Sequence, residues 1–262
     1  MPSLVPPESQ AALGGALGLT GRTCLVTGAT SGIGHAVAFG LAELGMQVVA
    51  VGRDDAVLEQ LAEQARERGL SLVGSHAEVT DEEQITASVE LAVHEFGSLH
   101  GVFANAGVAA VGPAMEMPAE AFAGVVSTNL TGTFLTARAG ARAMTDGGAV
   151  VLTSSSFARR GFVEWAPYNA SKAGVAMLAE TLAGEWASRG ITVHALAPTA
   201  TLTNVNRALF EDDDFRASVL AGIPVGRLLT PEELVLPVAF LLSPRNQMMT
   251  GHTLYVDGGQ SL

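Results

Sequence analysis

Thr27-Gly28-Ala29-Thr30-Ser31-Gly32-Ile33-Gly34 decides how the rest of the chain is read. Residues 23–27, which lead into it, have the apolar and β-branched composition of a buried strand. Residues 32–44, which follow it, carry apolar groups at helical spacing. Glycines between the two let the backbone turn sharply and let a pyrophosphate approach the outward-pointing N–H groups of the helix N-terminus. Gly34 permits close packing of helix on strand. Glycine-rich turns are common, so the weight lies in the placement, after the first strand and before a helix.

Outward from this turn the unit repeats. Buried strands are predicted at 23–27, 47–51, 71–75, 99–104, 149–153, 192–197 and 253–256, with helices at about 32–44, 54–68, 81–95, 118–144, 165–189 and 231–242. Parallel strands need right-handed crossover connections, so the alternation implies an α/β, doubly wound parallel sheet with helices on both faces. It forms a single domain, 21–262. Residues 1–20, with Pro6-Pro7 and Gly14-Gly15, read as a flexible N-terminal tail. The stretch 199–227 breaks the rhythm with the acidic run Glu211-Asp212-Asp213-Asp214 and lies beyond the carboxyl end of a late strand. It reads as a substrate lid or as a solvated helix pair; the acidic run is most simply a solvated face.

Composition excludes several classes. A net charge of −12 with 14 Lys+Arg argues against nucleic acid or an anionic membrane as partner. Cys24 is the single cysteine, which rules out an intrachain disulfide, and its apolar neighbours make it a buried thiol. The 6 histidines are scattered without ligand spacing, so no metal site is expected. No apolar run suits a bilayer and Arg22 is the first basic residue, so neither a membrane span nor a signal peptide is expected; the cytoplasm is the default location.

Two further stretches carry chemistry. The second strand ends Val51-Gly52-Arg53-Asp54-Asp55. Gly52 stands where a carboxylate would read the ribose 2′-hydroxyl of NAD, and Arg53 suits the 2′-phosphate of NADP, so NADP(H) is favoured. NAD(H) stays possible through Asp54 or Asp55. In Tyr168-Asn169-Ala170-Ser171-Lys172, residues four apart share a helix face. An ammonium about 4–5 Å from a phenol contributes roughly 3–4 kcal/mol at an effective dielectric of ~20. That lowers a pKa of about 10 by some two to three units and makes a tyrosine useful as acid/base. Ser155 lies thirteen positions upstream, just after a strand, where it would hold a substrate oxygen. Ser154 and Ser156 flank it, and spacing does not choose among the three.

Taken together these motifs resemble the ordered set of the short-chain dehydrogenase/reductases, whose fold is Rossmann-like. The likeness runs from Thr27–Gly34 through Ala104-Asn105-Ala106-Gly107, Asn129-Leu130, Ser155 and Tyr168–Lys172 to Pro198, Thr203 and Val256-Asp257-Gly258-Gly259. It implies that Tyr168 is the acid/base and that Ser155 orients the substrate oxygen. Lys172 then tunes Tyr168 and contacts the nicotinamide ribose, and Asn129 holds a water in a proton relay. It implies cofactor contacts at Gly28, Ser31, Gly32, Ile33 and Gly34, and at Arg53, Glu78 and Val79. Asn105, Ala106 and Gly107 follow, with Tyr168, Lys172, Pro198, Thr199, Thr201 and Thr203. Three residues depart from the family pattern: Glu78 for an Asp, Thr199 for a Gly and His194 for an Asn.

Within the family the C-terminal third is similar to sugar and polyol dehydrogenases related to gluconate 5-dehydrogenase, which ranks a sugar or polyol first as substrate. Val108-Ala109-Ala110-Val111, where sugar-acid enzymes often carry basic residues, weakens a carboxylate-bearing substrate, unless Arg159 and Arg160 substitute. A 3-oxoacyl carrier-protein reductase ranks second: Arg142 suits an acidic carrier, whereas Gly184 and the negative net charge do not. A non-catalytic dinucleotide sensor ranks last, since such proteins typically lose the Tyr or the Lys. The resemblance also implies a homotetramer built through the helices at 118–144 and 165–189.

Overall fold

A computed structural model of the protein describes residues 7–203 and 207–262. Seven strands form one sheet in the order β3-β2-β1-β4-β5-β6-β7. They are β1 (Thr23–Thr27), β2 (Gln47–Gly52), β3 (Leu72–His76), β4 (Gly101–Ala104), β5 (Gly148–Thr153), β6 (Ile191–Pro198) and β7 (Thr253–Val256). Every pairing is parallel. The order reverses between β1 and β4, so a crevice opens at the carboxyl ends of those two strands.

Helices cover both faces. They are α1 (Pro7–Leu17), α2 (Gly32–Glu43), α3 (Asp55–Glu67), α4 (Glu82–Phe96), α5 (Ala119–Val126), α6 (Thr133–Ala143), α7 (Ala166–Trp186), α8 (Asp213–Ala221) and α9 (Val235–Leu242). Alternation along β1 shows why its apolar run is continuous. Val26 joins a core with Val37 and Leu41 of α2 and Val238 of α9. Its neighbour Leu25 joins the opposite core with Ile85 of α4, Ala137 of α6 and Val175 of α7. A strand buried on both faces has no polar side to show. Cys24 lies fully buried in the first core, and burial pushes its thiol pKa up, as an inert thiol requires.

The flexible tail read at 1–20 is corrected over its described part. Pro7–Leu17 is helical, Leu13 and Leu17 pack on the first core, and Leu19 is fully buried. The breakers misled for identifiable reasons. Pro7 opens the helix, where a missing N–H costs nothing. Gly14 lies against the Leu44 carbonyl, which a Cβ would overlap. Ser243 Oγ donates to the Leu17 carbonyl at 2.6 Å and Gln10 Nε2 to Glu43 Oε2 at 3.2 Å, tying α1 to both ends of the fold.

The helix expected over 118–144 is broken by a π-helical turn, Ser127–Gly132, between α5 and α6. Such bulges widen a helix where a side chain has work outside it, and this one contains Asn129. Of the stretch 199–227, residues 204–206 lie outside the described residues. Asp212 caps α8 by accepting from the Phe215 N–H at 2.9 Å, with Asp213 and Asp214 in the first turn. The acidic run thus complements the helix N-terminus while remaining solvated. No helix among the described residues is long and apolar enough to cross a membrane.

Candidate active site

β5 delivers Ser154, Ser155 and Ser156 to the crevice, and their hydroxyls go three ways. Ser154 Oγ donates to the Lys172 carbonyl at 2.8 Å, and Ser156 Oγ to Gln260 Oε1 at 2.7 Å. Ser155 Oγ accepts from the Phe157 N–H at 3.2 Å and is hydrogen-bonded to Tyr168, which it pulls toward the phenolate. Of the three hydroxyls, the one that meets Tyr168 is that of Ser155.

Tyr168 and Lys172 sit one turn apart on α7, with the ammonium 5.7 Å from the centre of the Tyr168 ring. Lys172 Nζ donates to the Thr153 carbonyl at 2.6 Å. The charge argument made from spacing needs correction here. Burial dominates and holds the Tyr168 phenol above its ordinary pKa despite Ser155. Burial also pulls Lys172 down to about 8. A phenol held neutral is a proton donor at neutral pH.

Asn129 faces this pair from the π-helical turn. Its Oδ1 accepts from the Val108 N–H at 2.8 Å, and its Nδ2 donates to the Val108 carbonyl at 2.9 Å and to Ser171 Oγ at 3.1 Å. Both amide hydrogens are therefore used, and they tie Val108, the residue after Gly107, to Ser171 of α7. A Cβ on Gly107 would sit 3.3 Å from Asn129 Oδ1 and 3.5 Å from Lys172 Nζ. The floor between them is bare backbone, open to a flat group lying on it.

The glycine turn forms the other wall. Gly28 has φ +69°, and a Cβ there would press on Ala106 and Asn105 at 3.0 Å. A Cβ on Gly34 would overlap the Gly28 carbonyl, so α2 starts as close to β1 as backbone allows. Ser31 precedes α2 without capping it by its side chain, which leaves the N–H groups of Gly32 and Ile33 to a ligand. Asn105 Nδ2 donates to the Thr27 carbonyl at 3.2 Å, and Thr27 Oγ1 accepts from the Asn105 N–H at 3.0 Å. Thr203 packs 3.0 Å from where a Gly32 Cβ would be, which brings the segment after β6 over the turn. The bare turn, the uncapped helix and the Gly107 floor suit a dinucleotide.

At the end of β2 a Cβ on Gly52 would overlap the Thr30 side chain, so no carboxylate fits there. Arg53 Nη1 pairs with Glu78 Oε2 at 3.0 Å. Two residues singled out separately in the sequence thus meet at the adenosine end. Val79 lies beneath, packed on Gly132. Pro198 ends β6, and the hydroxyl of Thr201 donates to the Thr199 carbonyl at 2.9 Å.

The comparisons with known proteins agree with this geometry. A family model described as enoyl-(acyl carrier protein) reductase matches residues 28–261. A 3-oxoacyl-[acyl-carrier-protein] reductase of Vibrio cholerae is 36% identical over 93% of this chain and 98% of its own. The chain is a short-chain dehydrogenase/reductase. Other dehydrogenases and reductases of this kind are equally similar. A cis-4-hydroxycyclohexanecarboxylate dehydrogenase of Sinomonas cyclohexanicum is 39% identical over 91% of this chain and 96% of its own. A D-threitol dehydrogenase of Mycolicibacterium smegmatis is 35% identical over 93% and 94%. Among solved structures, a protein described as an NAD(P)-dependent gluconate 5-dehydrogenase of Beutenbergia cavernae, with NADP bound at low occupancy, superposes with a TM-score of 0.86. It is 38% identical over 92% of this chain and 97% of that one.

Two features of this short-chain dehydrogenase/reductase escaped the sequence reading. Gln260 Oε1 accepts from both Ser156 Oγ and Thr199 Oγ1 at 2.7 Å, tying the end of the chain to the serine segment and explaining what Thr199 does. No local pattern marks a contact across 104 residues. The second is a cluster of rings beside Tyr168. Phe157, Phe162 and Trp165 stand in the sequence within fourteen positions of Ser155, and that density was a readable signal. His194, by contrast, lies away from the crevice within the sheet, fully buried.

Proposed function

We propose that this enzyme interconverts a secondary alcohol and a ketone, with Tyr168 exchanging the proton at the substrate oxygen and Ser155 holding that oxygen. The observation that carries the reading is the buried Tyr168–Ser155 hydrogen bond with the Lys172 ammonium one helical turn away. A nicotinamide cofactor, when bound, accepts or supplies the hydride at the carbon. In the reducing direction the neutral phenol gives its proton to the carbonyl oxygen, and Ser155 donates a hydrogen bond to the charge developing there. Lys172 keeps two N–H groups beyond its bond to Thr153, and these would hold a ribose hydroxyl of the bound cofactor with the ammonium charge beside the ring. Asn129 acts by holding Val108 and Ser171 in register. A sensor without turnover ranks below this, because all four groups are in place.

NADP(H) is the favoured cofactor. Asp54 is taken up capping α3, where it accepts from the Val57 N–H at 3.1 Å, and Asp55 pairs with His76 at 2.8 Å. Arg53, although paired with Glu78, keeps its side chain 69% exposed and has further N–H groups to offer a 2′-substituent. The reading extends to a cytoplasmic homotetramer: one reduced cysteine suits that compartment, and Phe122 of α5 and Met177 of α7 expose apolar surface for a second copy. For the substrate, relatives named for threitol and gluconate support the sugar or polyol favoured from sequence, and those named for carrier proteins support an acyl thioester. A relative named for a hydroxycyclohexane acid points to rings. The test is oxidation of NADPH and NADH against a panel of ketones, ketoses and acetoacetyl thioesters. Turnover that survives Tyr168→Phe unchanged would refute the reading.

A further inference from the structure

We infer that the substrate is a compact, uncharged ring ketone or ring alcohol, held flat against an aromatic wall; this rests on the reading of Tyr168 as the acid/base. Four rings crowd into the residues between β5 and the first turn of α7. Phe157 stacks on Phe162 with centroids 3.7 Å apart, and Trp165 meets the Tyr168 ring edge-on at 5.5 Å. Phe157 meets Trp165 at 5.4 Å and Tyr168 at 6.1 Å, both edge-on. Phe157, Phe162 and Trp165 belong to neither core and keep part of their surface open. Partly open aromatic surface touching a reacting group is what a ligand wall looks like.

The backbone is bent to present it. Glu164 has φ +69°, the left-handed region that a residue with a side chain rarely adopts, alone in this among the described non-glycine residues. Its carbonyl accepts from the Gly112 N–H at 2.9 Å, which draws the loop bearing exposed Val111 and Met115 toward the same mouth. Strain of this kind persists where the surroundings enforce it, and here it places Trp165 against Tyr168.

The polar inventory points the same way. A polyol needs a partner for each hydroxyl it buries. Among the described residues around the rings, Ser154 is engaged with the Lys172 carbonyl, Ser156 and Thr199 with Gln260, and Asn169 Nδ2 with the Phe162 carbonyl at 3.0 Å. The acceptor left over, Asn169 Oδ1, is sealed from solvent. Arg159, one of the two arginines considered for a carboxylate, lies 5.9 Å over the Tyr255 ring. Of these described hydroxyls Ser155 and Tyr168 remain, enough for one substrate oxygen.

The test compares kcat/KM for cyclohexanone, 4-methylcyclohexanone and 2-tetralone with that for erythrulose, fructose and an acetoacetyl thioester, using the full chain and either nicotinamide cofactor. Ring ketones are expected to exceed the ketoses by at least about 100-fold. Trp165→Ala should cost about tenfold on ring ketones, mainly in KM, with Trp165→Phe restoring most of it and circular dichroism unchanged. Better turnover of a ketose or thioester than of every ring ketone, abolished by Tyr168→Phe, overturns the ring assignment and keeps the acid/base reading. An unchanged KM for ring ketones in folded Trp165→Ala overturns it too. No turnover of any class, with cofactor binding intact, removes the acid/base reading and this inference with it.

Discussion

The turn at Thr27–Gly34 and the segment from Ser154 to Lys172 occupy equivalent places, each leaving a strand at its carboxyl end and entering a helix, yet they are built from opposite materials. The first is nearly bare backbone: Gly28 and Gly34 touch, and α2 begins with its N–H groups uncapped. The second is almost all side chain, with four serine hydroxyls, a phenol, an ammonium and three further rings. Backbone can hold a ligand common to many enzymes, because it offers the same N–H groups whatever the neighbouring residues. Side chains discriminate, and they carry protons. Damage to the first region should therefore appear in binding, and damage to the second in turnover.

The largest effect expected is on Tyr168→Phe, which removes the transferable proton and should lower kcat by about 10³-fold or more with cofactor affinity intact. A fall in cofactor affinity instead, measured by fluorescence titration of NADPH, would erase the contrast between the regions. Lys172→Met should lower kcat by roughly 10²-fold and carries a second signature. Burial holds the Lys172 pKa at about 8 in the fold, below the roughly 10.4 of an unfolded chain. The unfolded state binds the extra proton between those values, so wild-type stability rises with pH across that window, by about 3 kcal/mol at most. Lys172→Met lacks the term. Its stability advantage in urea melts should shrink from pH 7 to pH 10, and a constant advantage would remove the buried charge from the account.

Arg53→Gln sharpens the comparison at the cofactor end. It should raise KM for NADPH about tenfold and leave KM for NADH within a factor of two, with kcat nearly unchanged. Equal effects on both cofactors would place Arg53 outside the 2′-phosphate site. The smallest effect belongs to neither region. His194 is fully buried, its ring nitrogens lack partners among the described residues, and burial with the nearby His252 lowers its pKa to about 4. An unfolded histidine titrates near about 6.5. The unfolded state therefore gains the proton first, and stability is lost as pH falls from 6.5 toward 4, by up to about 3 kcal/mol. His194→Asn should flatten the acid side of a pH series of melting temperatures without altering turnover at pH 7.

The same contrast explains what was legible beforehand. Glycines at 28, 32 and 34 report on backbone geometry, which local sequence dictates, and strand after strand fell within two residues of its expected place. Asn129, Lys172 and Tyr168 came from motif order. Which of the three serines faces Tyr168 needed the partners of Ser154 and Ser156, which lie 18 and 104 residues away. The direction of the Tyr168 shift needed burial, a property of the whole fold, and the Arg53–Glu78 pair needed β2 and β3 set side by side. The N-terminal helix was missed because Pro7 and Gly14 read as breakers until their surroundings were known.

That helix has a consequence for synthesis. α1 leaves the ribosome before the sheet it packs on, and the Ser243 hydroxyl that binds its last carbonyl follows 226 residues later. At about 5–20 residues per second the wait is roughly 10–45 s. For that time Leu13 and Leu17 have α2 to lean on, while α9 and the Ser243 turn do not yet exist. A helix made before the sheet is thus finished after it, and a nascent-chain chaperone would find its apolar face before the fold does.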